Sequence, residues 1–363
     1  MEIKAAVVRE KGAFVIEDLE LEEPRDNEVL VRMVACGVCH TDLIARDQYV
    51  PVPLPAVLGH EGAGVVERVG SRVTKVQPGD HVAMSYLSCG SCGSCEKGAP
   101  THCDTFMPAN FSGARLDGSL TLRKGQDKVH GSFFGQSSFA SHSLASERNV
   151  VKVPKDLPLE IMGPLGCGIQ TGAGGVMNSL KARPGSSIAV FGAGSVGISA
   201  IMAAVVSGCT KIIAVDINDD RLTLAKEFGA THAINSAKTD PVAEVVGITG
   251  RGLDYSLDCT GVPVVLRSAF DSLATGGVCG LIGAAPAGAE VGLTMQSVLN
   301  GRTLMGIVEG DSVCDVFIPL LIELYRQGRF PFDRMVTFYP FEEINRAAED
   351  SEKGKTLKAV LKF

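Results

Sequence analysis

Hydrophobic and polar positions change rhythm twice along this chain. In the first third, short β-type runs at 5–8, 28–35, 64–69 and 81–84 alternate with Gly/Pro punctuation, including a turn at Pro78-Gly79-Asp80. This pattern predicts a small, mostly β domain whose loops carry the chemistry. The segment 103–139 is polar and Gly-rich, and reads as a long surface excursion. Near Pro164 the rhythm changes. From Ser187 onward, apolar strands at 188–191, 211–216, 231–235 and 253–258 are each followed by a helical repeat, at 196–207, 219–228, 240–246 and 262–273. A further strand follows at 277–282. Such alternation specifies a parallel sheet covered on both faces. After about Gly306 the pattern mixes again. An amphipathic helix is expected at 313–326 and a strand at 356–362, the latter returning to the first domain. The expected division is 1–168 with 309–363 for the β domain, and 169–308 for the inserted α/β domain.

Composition narrows the partners. A chain of 363 residues fits about two domains. The formal net charge of −7 lacks the basic footprint that nucleic acid demands. Trp is absent, so no aromatic belt points to a membrane interface. The N-terminus enters strand-like sequence directly, with no basic then apolar leader in view, and a cytoplasmic setting is the expectation. Its 11 cysteines are then expected to stay reduced and to favour metal over disulfide. The stretch 186–208 carries no charge and is long enough to span a bilayer. Glycines at fixed offsets make it read as a buried strand, a turn and a buried helix instead.

Two cysteine-bearing regions and one glycine turn carry the chemistry. Cys89, Cys92, Cys95 and Cys103 lie on one short loop whose Gly and Ser spacers let the backbone wrap a small ion. Four thiolates make a closed, structural zinc site. Gly192-Ala193-Gly194-Ser195-Val196-Gly197 follows a strand and opens a helix. Gly192 makes the tight turn, Gly194 admits a pyrophosphate, and Gly197 lets helix and strand pack closely. Asp216 ends the next strand, where its carboxylate would accept ribose hydroxyls and repel a 2′-phosphate, favouring NAD. Arg221 pulls the other way. The second cysteine region joins Cys39, His40, Thr41 and Asp42 with Gly59-His60-Glu61 and, much later, Gly166-Cys167.

Taken together and in this order, these blocks resemble the zinc-dependent medium-chain alcohol dehydrogenases over essentially the whole chain. The closest likeness is to the branch that acts on aryl, benzyl and allylic terpenoid alcohols. The resemblance implies a GroES-like, mostly β catalytic domain and a Rossmann cofactor domain with a doubly wound parallel sheet. It implies two zinc ions per subunit, one structural on the four-cysteine lobe and one catalytic on Cys39, His60 and Cys167. Glu61 would stand beside the catalytic metal, and Asp42 would fix the His60 tautomer. Thr41 would take the alcohol proton. His40, Thr171, Val196 and Lys358 match cofactor contacts. One departure stands out: where many relatives place a histidine that passes the proton to solvent, this chain has Ile44. The implied reaction interconverts a primary aromatic or allylic alcohol and its aldehyde, with NAD as hydride carrier. A general short-chain alcohol dehydrogenase, a glutathione-dependent formaldehyde dehydrogenase, and a zinc- and NAD-binding sensor without turnover stay open. A homodimer or homotetramer is expected.

Overall fold

The computed structural model describes residues 1–363. They form two compact units. The first comprises Met1–Cys167, Val313–Ile322 and Phe332–Phe363; the second comprises Gly168–Ser312 and Glu323–Pro331.

In the first unit, alternating apolar positions build two sheets. The larger runs Val150–Lys152, His81–Met84, Glu61–Val69, Glu28–Gly37, Lys358–Lys362, Val336–Pro340, with His142–Ser146 also pairing Glu28–Gly37. Lys358–Lys362 is the expected returning tail, and its register sets Leu361 opposite Cys36. A core of Val29, Val31, Met33, Val66, Val82 and Met84 lies on one face of this sheet. Glu28–Gly37 and Glu61–Val69 pair antiparallel with Gly37 opposite Glu61. That register brings the end of one strand, which leads to Cys39, next to the start of the other, which follows His60.

The second unit is a six-stranded parallel sheet in the order His232–Asn235, Lys211–Asp216, Ser187–Phe191, Leu253–Asp258, Leu273–Leu281, Thr303–Gly306. All five residues of Ser187–Phe191 are buried, as expected for a central strand covered on both faces. Burying Phe191 alone contributes about 1.5–3 kcal/mol. The order reverses between Ser187–Phe191 and Leu253–Asp258, the position where open sheets of this type take their ligands. The uncharged stretch resolves into that central strand and the helix Ser195–Val206. No helix is long and apolar enough to cross a membrane.

One expectation is corrected. The segment 103–139 is a surface excursion only in part: 116–118 and 123–128 are exposed, whereas 131–139 are buried throughout. It contains the helix Phe106–Phe111 and two short strands, and it ends in a buried turn, Phe133–Gly135. Phe133, Phe134, Gln136, Ser137 and Ser138 are all buried. Glycines and serines, read as loop formers, here serve tight internal turns whose polar groups are hydrogen-bonded inside.

Candidate functional site

The loop after Glu28–Gly37 turns into a short helix, His40–Arg46, whose N-cap is Cys39. Asp42 organises this corner. Its carboxylate accepts the Cys39 backbone N–H at 2.9 Å, the Gly59 N–H at 3.1 Å and the His60 Nδ1–H at 2.7 Å. One buried side chain thus ties two loops, 17 to 18 residues apart, to each other. With Nδ1 so engaged, Nε2 is the free ring nitrogen, and it lies 3.2 Å from Cys167 Sγ. The ligand atoms of Cys39, His60, Glu61 and Cys167 all fall within 4.8 Å of one another. Thr41 Oγ1 is 3.8 Å from Cys39 Sγ. His40 is exposed and Ile44 half-buried.

Electrostatics mark the same cluster. The hydrogen bond from Cys167 outweighs burial and holds the Cys39 thiol well below its ordinary range. Burial disfavours the charged His60 ring, but Asp42 overcomes this and raises its pKa. Burial pushes the Glu61 carboxyl up to about 7, against the pull of Lys358. Lys358 Nζ donates to both Glu61 oxygens, at 2.8 and 2.9 Å, and both side chains are buried. Sequence reasoning took Lys358 as a cofactor contact and missed this pair. The partners are 297 residues apart, so no local signal links them.

The four-cysteine lobe closes on itself in the same way. Its four sulfurs lie within 4.8 Å of one another, and Cys92 Sγ is 4.0 Å from Cys103 Sγ. That is near the ~3.8 Å edge of a tetrahedron with Zn–S bonds of ~2.3 Å. Backbone N–H groups of Ser91 and Cys92 pull the Cys89 thiol down to about 6, whereas burial pushes Cys95 up to about 11. Gly90 sits at φ +78, and a Cβ there would meet the Arg148 guanidinium. Arg148 Nε can therefore donate to the Ser88 carbonyl at 3.1 Å and brace the loop. All eleven cysteines are free thiols.

Both donor sets suit zinc. Four sulfurs gathered within 4.8 Å of one another offer the all-thiolate donor set of a closed site, and the lobe fits one. Cys39, His60 and Cys167 supply two sulfurs and a nitrogen, with the carboxylate of Glu61 already occupied by Lys358, which fits a site with an open position.

In the second unit the glycine turn has the geometry its spacing implies. Gly192 sits at φ +92, and a Cβ on Gly197 would collide with the Gly192 carbonyl. Nothing lies within 4 Å of a Cβ on Gly194, which leaves room for a ligand. Val196 is half-buried on the first turn of the helix that follows. Asp216 accepts the Ala193 N–H at 2.7 Å and the Asn218 N–H at 2.9 Å, fixing its carboxylate beside the turn. Arg221 keeps a buried Nε without a hydrogen-bond partner. Thr171 donates to Glu309 Oε2 at 3.3 Å. These seven candidate cofactor residues belong to the second unit, and His40 and Lys358 belong to the first.

Known proteins match both units. A family profile described as alcohol dehydrogenase GroES-like domain matches residues 25–155, and one described as zinc-binding dehydrogenase matches 195–323. A geraniol dehydrogenase of Castellaniella defragrans is 47% identical over 364 residues, covering 99% of this chain and 97% of its own length. The crystal structure of benzyl alcohol dehydrogenase from Acinetobacter calcoaceticus superposes with a TM-score of 0.97 at 50% identity, over 100% of this chain and 99% of that one. An alcohol dehydrogenase zinc-binding domain protein from Burkholderia ambifaria gives 0.98 at 56%, over 100% and 99%. Two soft-ligand clusters, a dinucleotide-type glycine turn and full-length likeness lead to one conclusion: the chain belongs to the zinc-binding alcohol dehydrogenase family.

Proposed function

We propose that this enzyme oxidises primary aromatic or allylic alcohols, of the benzyl alcohol or geraniol type, to aldehydes with NAD. The observation that carries this reading is the convergence of Cys39, His60 and Cys167 in one buried cluster, with His60 oriented by Asp42. These three residues would hold the catalytic zinc, which when bound acts as a Lewis acid that favours loss of the alcohol proton. Asp42 keeps the proton of His60 on Nδ1 and so keeps Nε2 available. The Thr41 hydroxyl receives the alcohol proton. Ile44 cannot relay it further, so it leaves through the cofactor ribose or water. Glu61 is held by Lys358, so the three ligands would leave the metal open to substrate. Cys89, Cys92, Cys95 and Cys103 would hold the structural zinc.

The dinucleotide is assigned to the Gly192–Gly197 turn, with Asp216 on the adenosine ribose and with Val196, Thr171 and Arg221 as further contacts. We assign catalysis to 1–168 with 309–363 and cofactor binding to 169–308. The substrate class draws support from the apolar Ile44 and from the relatives' names, one a geraniol and one a benzyl alcohol dehydrogenase. The proposed setting is the cytoplasm. The Thr303–Gly306 strand at the end of its sheet supports assembly as a homodimer or homotetramer.

The test is NADH formation with benzyl alcohol, geraniol, ethanol and S-hydroxymethylglutathione, on enzyme whose zinc has been counted. Turnover of the first two at two zinc per chain is expected. Turnover with the glutathione adduct alone would reject the substrate class, and full activity at one zinc or none would reject the metal reading.

A further inference from the structure

The turn Phe133–Gly135 is built in a way that a simple loop closure does not require. Phe134 is buried yet adopts φ 52, ψ 31, a left-handed conformation that a bulky residue rarely takes. Gly135 and Ser137 follow at φ 64 and φ 53. Such a backbone persists only where its surroundings over-determine it. Here they do. Asn149 Nδ2 donates to the carbonyls of Phe134, Gly135 and Ser85 at 3.1, 3.2 and 3.3 Å. Phe133 N–H donates to Ser137 Oγ at 2.9 Å, and that hydroxyl donates to the Val57 carbonyl at 2.6 Å. Asn149 Oδ1 is itself left without a hydrogen-bond partner, a cost accepted to keep its amide on the turn.

What this apparatus delivers is a flat aromatic surface against His60. The Phe134 ring stacks on the imidazole at 4.4 Å between centroids and 28° between planes. Phe133 meets the same imidazole edge-on at 5.6 Å and 82°. Phe111 in turn backs both phenyl rings, at 5.7 Å from Phe133 and 5.1 Å from Phe134. The turn also holds the main chain at this point. Gln136 Nε2 donates to the His60 carbonyl at 2.9 Å, and its Oε1 accepts the Gly62 N–H at 3.2 Å.

A single hydrogen bond from Nδ1 to Asp42 fixes the tautomer but leaves the imidazole free to tilt about that bond. A metal binds in the plane of the ring, so the tilt matters as much as the tautomer. We infer that Phe134 is a positioning residue: its ring, presented by the strained turn, sets the plane of His60 so that Nε2 faces Cys39 and Cys167. The inference rests on the reading of His60 as a ligand of the buried zinc. It explains why a strained backbone and an unsatisfied amide oxygen are kept at this turn.

The test uses zinc-loaded holoenzyme and follows zinc release to a chromogenic chelator. The lobe's phase is identified by its loss in Cys95→Ser. Phe134→Leu keeps apolar bulk but removes the flat ring. It is expected to speed release of the buried-site zinc at least ~10-fold, to leave the lobe's phase unchanged, and to alter the visible spectrum of the cobalt-substituted buried site. Phe134→Tyr, which restores the ring, should return both readouts to wild type. Phe341→Leu removes another buried ring of the same unit, one stacked on Phe363, and should lower the melting temperature without touching zinc release.

Release from Phe134→Leu at the wild-type rate, or equal acceleration in Phe341→Leu, would overturn the inference while leaving the metal reading intact. A wild-type chain that binds only one zinc would overturn the metal reading itself. If Phe134→Leu does not fold, Phe134→Met carries the same measurements. Failure of both to fold assigns the ring to the core and also overturns the inference.

Discussion

The buried Lys358–Glu61 pair offers the sharpest energetic test. Lys358 is 2% exposed and Glu61 0%, and the ammonium spans both carboxylate oxygens. Lys358→Met keeps much of the stem's volume and removes the charge. It leaves the Glu61 carboxyl enclosed without its cation. Removing one partner of such a pair costs about 3–5 kcal/mol, because the survivor stays buried without compensation. For a unit of this size that corresponds to a fall of roughly 6–20 °C in melting temperature. The double variant Glu61→Gln/Lys358→Met removes both charges and should recover a large part of the loss. Lys358→Arg, which keeps the charge, should cost less than Lys358→Met. The assay is a denaturation series of all four proteins with zinc in excess, so that metal loss does not mimic the effect. If Lys358→Met is destabilised by under about 1 kcal/mol, or if the double variant is no more stable than the single, the argument from uncompensated burial fails.

Other consequences follow from separate parts of the molecule. Cys95→Ser should lower bound zinc from two to one per chain and reduce the melting temperature, read by elemental analysis and calorimetry; an unchanged zinc count would remove the lobe from the metal scheme. Asp216→Gly should raise the ratio of NADP to NAD use in kcat/KM by about 10-fold or more, because the carboxylate that repels a 2′-phosphate is gone; an unmoved ratio assigns the preference elsewhere. Glu17 is drawn down to about 2 by hydrogen bonds from Arg9, against burial, and then from Lys124. Its folded pKa lies below the unfolded value, so its stabilisation is present at neutral pH and is lost as pH falls from about 4 towards 2. Glu17→Gln should therefore be less stable than wild type at pH 7, with the gap in denaturant midpoint closing below pH 4.

Much of this was readable in the chain because the relevant physics is local. The strands Lys211–Asp216 and Leu253–Asp258 have the bounds their apolar runs imply, and Ser187–Phe191 begins one residue earlier than its run. A central parallel strand must be apolar on both faces, and glycines must flank it where a helix turns back. The two cysteine sets were legible because ligand spacing reflects the reach of a short loop around one ion. Cys167 was legible only as part of a whole-chain likeness, since nothing about a lone thiol 107 residues from His60 announces a partnership.

What stayed hidden are the groups that act through burial and distance. Gln136 and Asn149 look like ordinary loop amides, yet both are fully enclosed and hold carbonyls of three separate segments. Phe134 looks like a hydrophobic anchor beside Gly135, and no residue preference flags a phenylalanine at positive φ, because such a state is disfavoured locally and is imposed by the tertiary structure. Lys358 opens a strand, Lys358–Lys362, whose first four residues are all buried, and strand geometry alone says only which face it occupies. Whether that face meets solvent or a buried carboxylate is decided by the register of Lys358–Lys362 against Glu28–Gly37, and so by hydrogen bonds made more than three hundred residues apart. The candidate metal ligands other than Cys167 are thus written in short motifs, whereas Cys167 and the residues that orient and restrain the buried cluster are written in the packing. A variant that spares every motif residue can still loosen the metal, and the orienting set is where such losses are expected.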